Sequence, residues 1–137
     1  MLLRGPSGAG KSDLALRLIE GGARLVADDQ VEVRHIAQAL KVTSPASLSG
    51  LLEVRGIGIV PMPCCSEAVL RLVIDLVARE EVVRLPDPAH VAVLGIQVPC
   101  LALDAFAAST PAKVRLALDL VLQGTLFANA VPLGPAA

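Results

Sequence analysis

The stretch "GPSGAGKS" at residues 5–12 satisfies the pattern G-x-x-x-x-G-K-[ST] at every fixed position. Its glycines let successive backbone N–H groups turn inward as a concave anion nest, and the helix that follows adds its positive N-terminal end. A bound triphosphate brings several negative charges into a place that excludes bulk water, and neutral amides alone do not balance them. Lys11 is therefore expected to reach the outer phosphates and the Ser12 hydroxyl to ligate Mg²⁺. A glycine loop that merely caps a helix would not need the whole signature. Gly5, Pro6, Ser7, Gly8, Ala9, Gly10, Lys11 and Ser12 are thus candidate nucleotide-binding residues.

The flanks support this reading. "MLLR" at residues 1–4 reads as the tail of a strand feeding the loop. Residues 12–20, "SDLALRLIE", place Leu14, Leu18 and Ile19 at helical spacing, and Gly21-Gly22 supplies a stop. "ARLVADD" at 23–29 is a short apolar run ending in acid, and "VEVRHI" from Val31 alternates with period two; both are expected to be strands. A Ser- and Pro-rich loop is expected at 43–50, followed by "LLEVRGIGIVPMP" at 51–63, a strand breaking into a shaped loop at Gly56 and Gly58. "VLRLVIDLV" at 69–77 fits a buried helix or a strand, and its β-branched content favours the strand, with Asp75 on the solvent face. One or two further strands are expected around Gly95, and a second helix up to Gly124 with Thr110 as N-cap and Pro111 at its first position. The sum is an α/β domain on a mixed sheet with few helices. It is expected to span residues 1–124, with 125–137 a mobile or docking tail.

Composition narrows the function classes. The chain has 137 residues, 54% hydrophobic and 1% aromatic, enough for one aliphatic core. A formal net charge of −1 gives no cationic field for nucleic acid or anionic lipid. The longest uncharged stretch, from Leu120 onward, is interrupted by Gln123, Gly124, Asn129 and Pro132 and suits neither a membrane span nor an export signal. A cytoplasmic protein is expected. Cys64, Cys65 and Cys100 show no zinc spacing and read as reduced thiols. His35 and His90 sit far apart in polar surroundings, without a ligand pattern.

A guanine-specific switch would carry Asn-Lys-x-Asp, which is absent. Mg²⁺ calls for an acid at a strand end, and Asp28 with Asp29 qualify better than Asp75, which lies mid-run. "ADDQ" also fits a polar turn. Two adjacent carboxylates repel, and a metal shared with Ser12 offsets that while leaving one free to accept a proton.

"GPSGAGKSDLALRLIEGGARLVADDQVEV", followed by "LLEVRGIGIVPMP", resembles the catalytic domain of HPr kinase/phosphorylase, in its short form without the extra N-terminal domain. The resemblance is dense over residues 2–63 and returns at "VLGIQVPCLAL". It implies a fold similar to phosphoenolpyruvate carboxykinase and an ATP- and Mg²⁺-dependent serine kinase. The implied substrate is HPr, the small phosphocarrier of a sugar or nitrogen phosphotransferase system. Carried over by position, Lys11 binds phosphates, Ser12 and Glu53 hold Mg²⁺ with support from Asp28, Asp29 activates the acceptor serine, and Arg84 steadies charge on the transferring group. Assembly as a homohexamer is implied as well. The family also carries a histidine on a strand upstream of the loop, so either the chain is a fragment or its first strand is incomplete. At residues 104–109 "DAFAAS" stands where the family has Pro-Val-x-x-Gly-Arg, which argues against phosphorolysis. "PMPCCSEA" replaces the family's phenylalanine-glycine segment, so the loop meeting the protein substrate is expected to differ in shape. Two other functions fit the residues: a nucleotide-sensing module without transferase activity, and a small-molecule kinase.

Overall fold

The central strand of the molecule is β7 (Val73–Leu76), and its alternation feeds two cores. The computed structural model describes residues 1–45 and 50–127. β1 (Leu2–Arg4) runs parallel to β7, which runs parallel to β9 (Ile96–Leu103), and β8 (His90–Val93) closes the edge antiparallel to β9. The order β1-β7-β9-β8 makes a mixed four-stranded sheet. Successive strand residues point to opposite faces. Leu72, Ile74 and Leu76 therefore join Leu14, Leu18, Val114 and Ala117 of helices α1 (Lys11–Glu20) and α2 (Thr110–Leu122). Val73 faces the other way, into a cluster with Leu40, Val42, Leu70 and Val98.

That second cluster is roofed by an antiparallel sheet, β2 (Glu32–Ile36), β3 (Ala39–Thr43) and β6 (Glu67–Val69), in the order β2-β3-β6. Helices, mixed sheet and antiparallel sheet form three layers, the α/β architecture expected from the sequence. A hairpin, β4 (Leu51–Val54) with β5 (Gly58–Pro61), leans on α1 and buries Leu52 completely.

Both helices end as the sequence implies. Gly22, at φ +105°, donates to the Ile19 carbonyl at 3.0 Å, and Ala23 donates to Leu18 at 3.0 Å. This is the reciprocal pair of a Schellman end, which needs a left-handed residue and so favours glycine. α2 begins one residue earlier than expected. Thr110 is its first residue rather than its N-cap, and the buried Thr110 hydroxyl donates to the Asp104 carbonyl instead of capping the helix.

Three expectations are corrected. "ARLVADD" is not a strand: Leu25 makes a single bridge to Cys64, with Leu25 N–H to the Pro63 carbonyl at 2.8 Å and Cys65 N–H to the Leu25 carbonyl at 2.9 Å, after which the chain turns. Residues 69–77 are not one strand. Val69 pairs with Lys41 in the antiparallel sheet and Val73 with Leu2 in the mixed sheet, so the chain changes layer at 70–72. "LLEVRGIGIVPMP" is a regular hairpin whose glycines serve its tip, where Ile57 N–H bonds the Val54 carbonyl at 3.0 Å. Of the loop expected at 43–50, residues 46–49 lie outside the described residues. At the tail, Thr125 N–H bonds the Leu120 carbonyl at 2.8 Å, Leu126 packs on the helix-side core and Phe127 meets His90 edge-on. Residues 128–137 lie outside the described residues.

Asp75 is half-buried and not simply solvent-facing. Arg4, opposite it in the β1–β7 register, donates Nε to Oδ1 at 2.7 Å and an η nitrogen to Oδ2 at 3.0 Å. The Cys100 thiol lies 3.3 Å from Asp75 Oδ2. The hydrogen bond from Arg4 holds the Asp75 carboxyl below its usual range against the opposing effect of burial. Burial first, then the Asp75 hydrogen bond, pushes the Cys100 thiol up and keeps it protonated at neutral pH. A carboxyl whose folded value is depressed contributes stability above its unfolded value and loses it as pH falls through the folded one. Both side chains keep more than a third of their surface in water, so the pair is worth about 0.5–1 kcal/mol. Arg4→Met should therefore lower urea stability by about that amount at pH 7, and the difference should shrink below the ordinary carboxylate range. Urea titrations of both proteins at pH 7 and pH 3 read this directly.

Candidate active site

Parallel strands β1, β7 and β9 end at one edge of the mixed sheet, and the connections leaving those ends gather there. α/β sheets bind ligands at such carboxyl ends. The loop after β1 is residues 5–10. Ala9 N–H bonds the Pro6 carbonyl at 3.0 Å, and Gly8 and Gly10 take φ +83° and +93°. Gly10 has no room for a side chain, because a Cβ there would fall 2.8 Å from that of Ala105. Leu14 N–H bonds the Gly10 carbonyl at 2.9 Å, which starts α1 directly from the loop and points the helix's positive end at its mouth. The Lys11 ammonium donates to the Gly5 carbonyl at 2.9 Å, across the loop.

In front of the loop lies a cleft of about 590 Å³. Of the residues singled out from the sequence, Ser7, Gly8, Gly10, Lys11, Ser12, Asp29 and Glu53 line it. Gly5, Pro6 and Ala9 form the back of the loop, with Ala9 packed on the core. Asp28 reaches the cleft through its neighbours. Its Oδ1 sits 3.5 Å from the Ser12 hydroxyl and its Oδ2 accepts the Glu53 backbone N–H at 3.1 Å. One carboxylate thereby ties the first turn of α1 to hairpin β4–β5. Asp29, beside it, is exposed at φ +56°, a positive value that Asp tolerates. This backbone conformation is the physical reason the acidic pair ends no strand.

Arg84 is not brought in. It lies on the exposed connection after β7, at the same sheet edge but outside the cleft lining. Arg55 is there instead, and the sequence reading assigned it nothing. Glu53 lies on β4 and Arg55 on the turn that follows it, with Val54 between them also lining the cleft, so strand alternation does not account for Arg55 and the Glu-x-Arg-Gly string of the resemblance was the available signal. Phe106, at the end of β9, is the other unforeseen member.

Hard oxygen donors suit Mg²⁺, which takes one or two protein carboxylates and leaves its other positions to water and phosphate. The Ser12 hydroxyl and the Asp28 carboxylate, with Glu53 alongside, are such a set. Among the described residues no three His, Cys, Asp or Glu converge as a metal cage. No described helix is long and apolar enough to cross a membrane.

Residues 1–114 match the family model described as HPr Serine kinase C-terminal domain. HPr kinase/phosphorylase of Clostridium novyi is 56% identical over 63 residues, 46% of this chain and 20% of that protein. The protein of the same name from Clostridium acetobutylicum is 43% identical over 109 residues, 72% of this chain and 36% of that one. The chain thus spans about a fifth to a third of the length of these relatives. The solved structure of the Hpr(Ser) kinase/phosphatase from Coxiella burnetii superposes with a TM-score of 0.78 at 26% identity, over 89% of this chain and 84% of that one.

The Asp28 tie is testable apart from any activity. Asp28→Ala should raise hydrogen exchange at the Glu53 amide by about tenfold, the loss expected for a hydrogen bond to a charged acceptor, while amides of β7 stay unchanged. Exchange followed by NMR measures both at once.

Proposed function

Because this chain belongs to the HPr serine kinase C-terminal domain family, we propose that it transfers the γ-phosphoryl group of ATP to a serine hydroxyl of an HPr-type phosphocarrier. The observation that carries the reading is the convergence of Lys11, Ser12, Asp28 and Asp29 on one phosphate loop, with Asp28 bonded toward both Ser12 and the Glu53 backbone. The loop amides and Lys11 bind and orient the phosphate chain. When bound, Mg²⁺ supplies charge neutralisation, held by the Ser12 hydroxyl and Asp28 with Glu53 beside them. Asp29, exposed and free of a partner bond among the described residues, takes the proton of the attacking serine hydroxyl. The serine oxygen forms its bond to the γ-phosphorus as the bond to the β,γ-bridging oxygen breaks, and ADP leaves. Catalysis of this kind is mostly positioning and charge balance. Arg55, which lines the cleft as Lys11 does, is the residue we assign to steady charge on the transferring group. Arg84, outside the cleft lining, is given no role in the transfer.

The forward reaction is favoured over phosphorolysis because residues 104–109 lack the Pro-Val-x-x-Gly-Arg stretch of the resemblance. A cytoplasmic setting follows from the carrier. Homo-oligomeric assembly, a hexamer by the same resemblance, fits the exposed apolar side chains Ile57, Ile59, Val83, Leu85, Leu116 and Leu122.

Incubation with labelled ATP, Mg²⁺ and purified carrier tests the reading. Asp29→Ala should cut transfer by about 10²–10⁴, the range for a lost general base, while nucleotide still binds. Transfer at the parental rate would remove Asp29 from the mechanism, and tight ATP binding with no labelled carrier under any metal condition would favour a nucleotide sensor. In the same assay Arg55→Ala should slow transfer more than Arg84→Ala.

A further inference from the structure

The chain has two phenylalanines and neither tryptophan nor tyrosine, yet Phe106 stands at the phosphate cleft with 65% of its surface exposed. The backbone that carries it is fixed on both sides. Ala105 fills the inward slot at 1% exposure, and its carbonyl accepts a bond from the Arg17 guanidinium. Arg17 is in turn bound to Asp13 at 2.9 Å, both on α1. Asp104 Oδ1 accepts the Phe106 N–H at 3.0 Å. With the backbone fixed in this way and Ala105 taking the inward slot, the ring is turned outward. Its edge abuts the phosphate loop, since a Cβ on Gly10 would fall 2.9 Å and 3.0 Å from two ring atoms.

The connection carrying Phe106 leaves the carboxyl end of β9, at the same sheet edge as the loop after β1. Phosphates seated on the loop amides leave the rest of a nucleotide to extend across the cleft, and Phe106 is the aromatic face among its lining residues. Asn-Lys-x-Asp, which would read a guanine by hydrogen bonds, is absent. We propose that Phe106 is the stacking platform for the purine base of the bound nucleotide, so that the base is held through its π-face. This rests on the reading of residues 5–12 as a triphosphate site.

Calorimetric titration of the full chain with Mg-ATP and, separately, with inorganic tripolyphosphate tests the assignment. Phe106→Ala should weaken ATP binding by about tenfold or more, as for other base–aromatic stacks, and leave tripolyphosphate binding unchanged. Phe106→Trp should keep the parental ATP affinity. Unchanged ATP binding in Phe106→Ala would overturn the proposal, as would an equal loss for both ligands, which marks a mere support of the loop. Failure of the unaltered chain to bind tripolyphosphate would overturn the phosphate-site reading itself and the inference with it, a result distinct from the other two.

Discussion

Three residues of parallel pairing, Leu2 to Val73, Leu3 to Ile74 and Arg4 to Asp75, place everything that follows. Because β1 stops level with the end of β7, Gly5 meets Leu76, and a Cβ on Gly5 would fall 3.3 Å from the Leu76 carbonyl oxygen. The phosphate loop is thereby pressed against the sheet edge and cannot drift along it. Ion-pairing of Arg4 with Asp75 at the last register position fixes the alignment from the side opposite the helices. A slip by one residue would send Leu3 out of the helix-side core and break that pair.

The cleft balances charge locally, in a chain whose formal net charge is only −1. Asp29 and Glu53 line the cleft with Lys11 and Arg55, and Asp28 stands against Ser12, so a polyphosphate entering this space would meet charges of both signs. The acids would repel it without a divalent ion between them. Were the cleft to take a polyphosphate, as proposed, a divalent ion would offset that repulsion.

The phosphate loop, α1 with its glycine stop, β2 and α2 were legible because each rests on a local rule: a fixed signature, a 3.6 period, a left-handed end or an alternating run. The "ARLVADD" segment misled because apolar content was read as strand, whereas tertiary pairing grants it one bridge at Leu25. Residues 69–77 misled for the converse reason. Their continuous apolar pattern hides a change of layer, and no local rule marks which of two sheets a residue joins. The acidic pair, Glu53 and residues 5–12 were singled out from the motif and the resemblance, and Ser7, Gly8, Gly10, Lys11, Ser12, Asp29 and Glu53 among them line one cleft. Arg55 stood inside the Glu-x-Arg-Gly string of the resemblance, but as a turn residue beyond β4 it obeys no strand alternation. Phe106 was not legible, since its place beside Gly10 depends on the meeting of two sheet-edge connections 96 positions apart in the chain.

The segment bearing the two aspartates hangs between a single clamp at Leu25 and the first rung of β2 at Glu32. Its backbone joins no ladder over that interval, and neither hydrophobic cluster draws on its acidic residues. Lengthening or shortening this span would re-aim the acids while leaving both layers intact. The aim of the acids thus rests on the Asp28 contacts to Ser12 and the Glu53 backbone and on the Leu25 bridge, not on either sheet, so a change there can alter the cleft without touching either core.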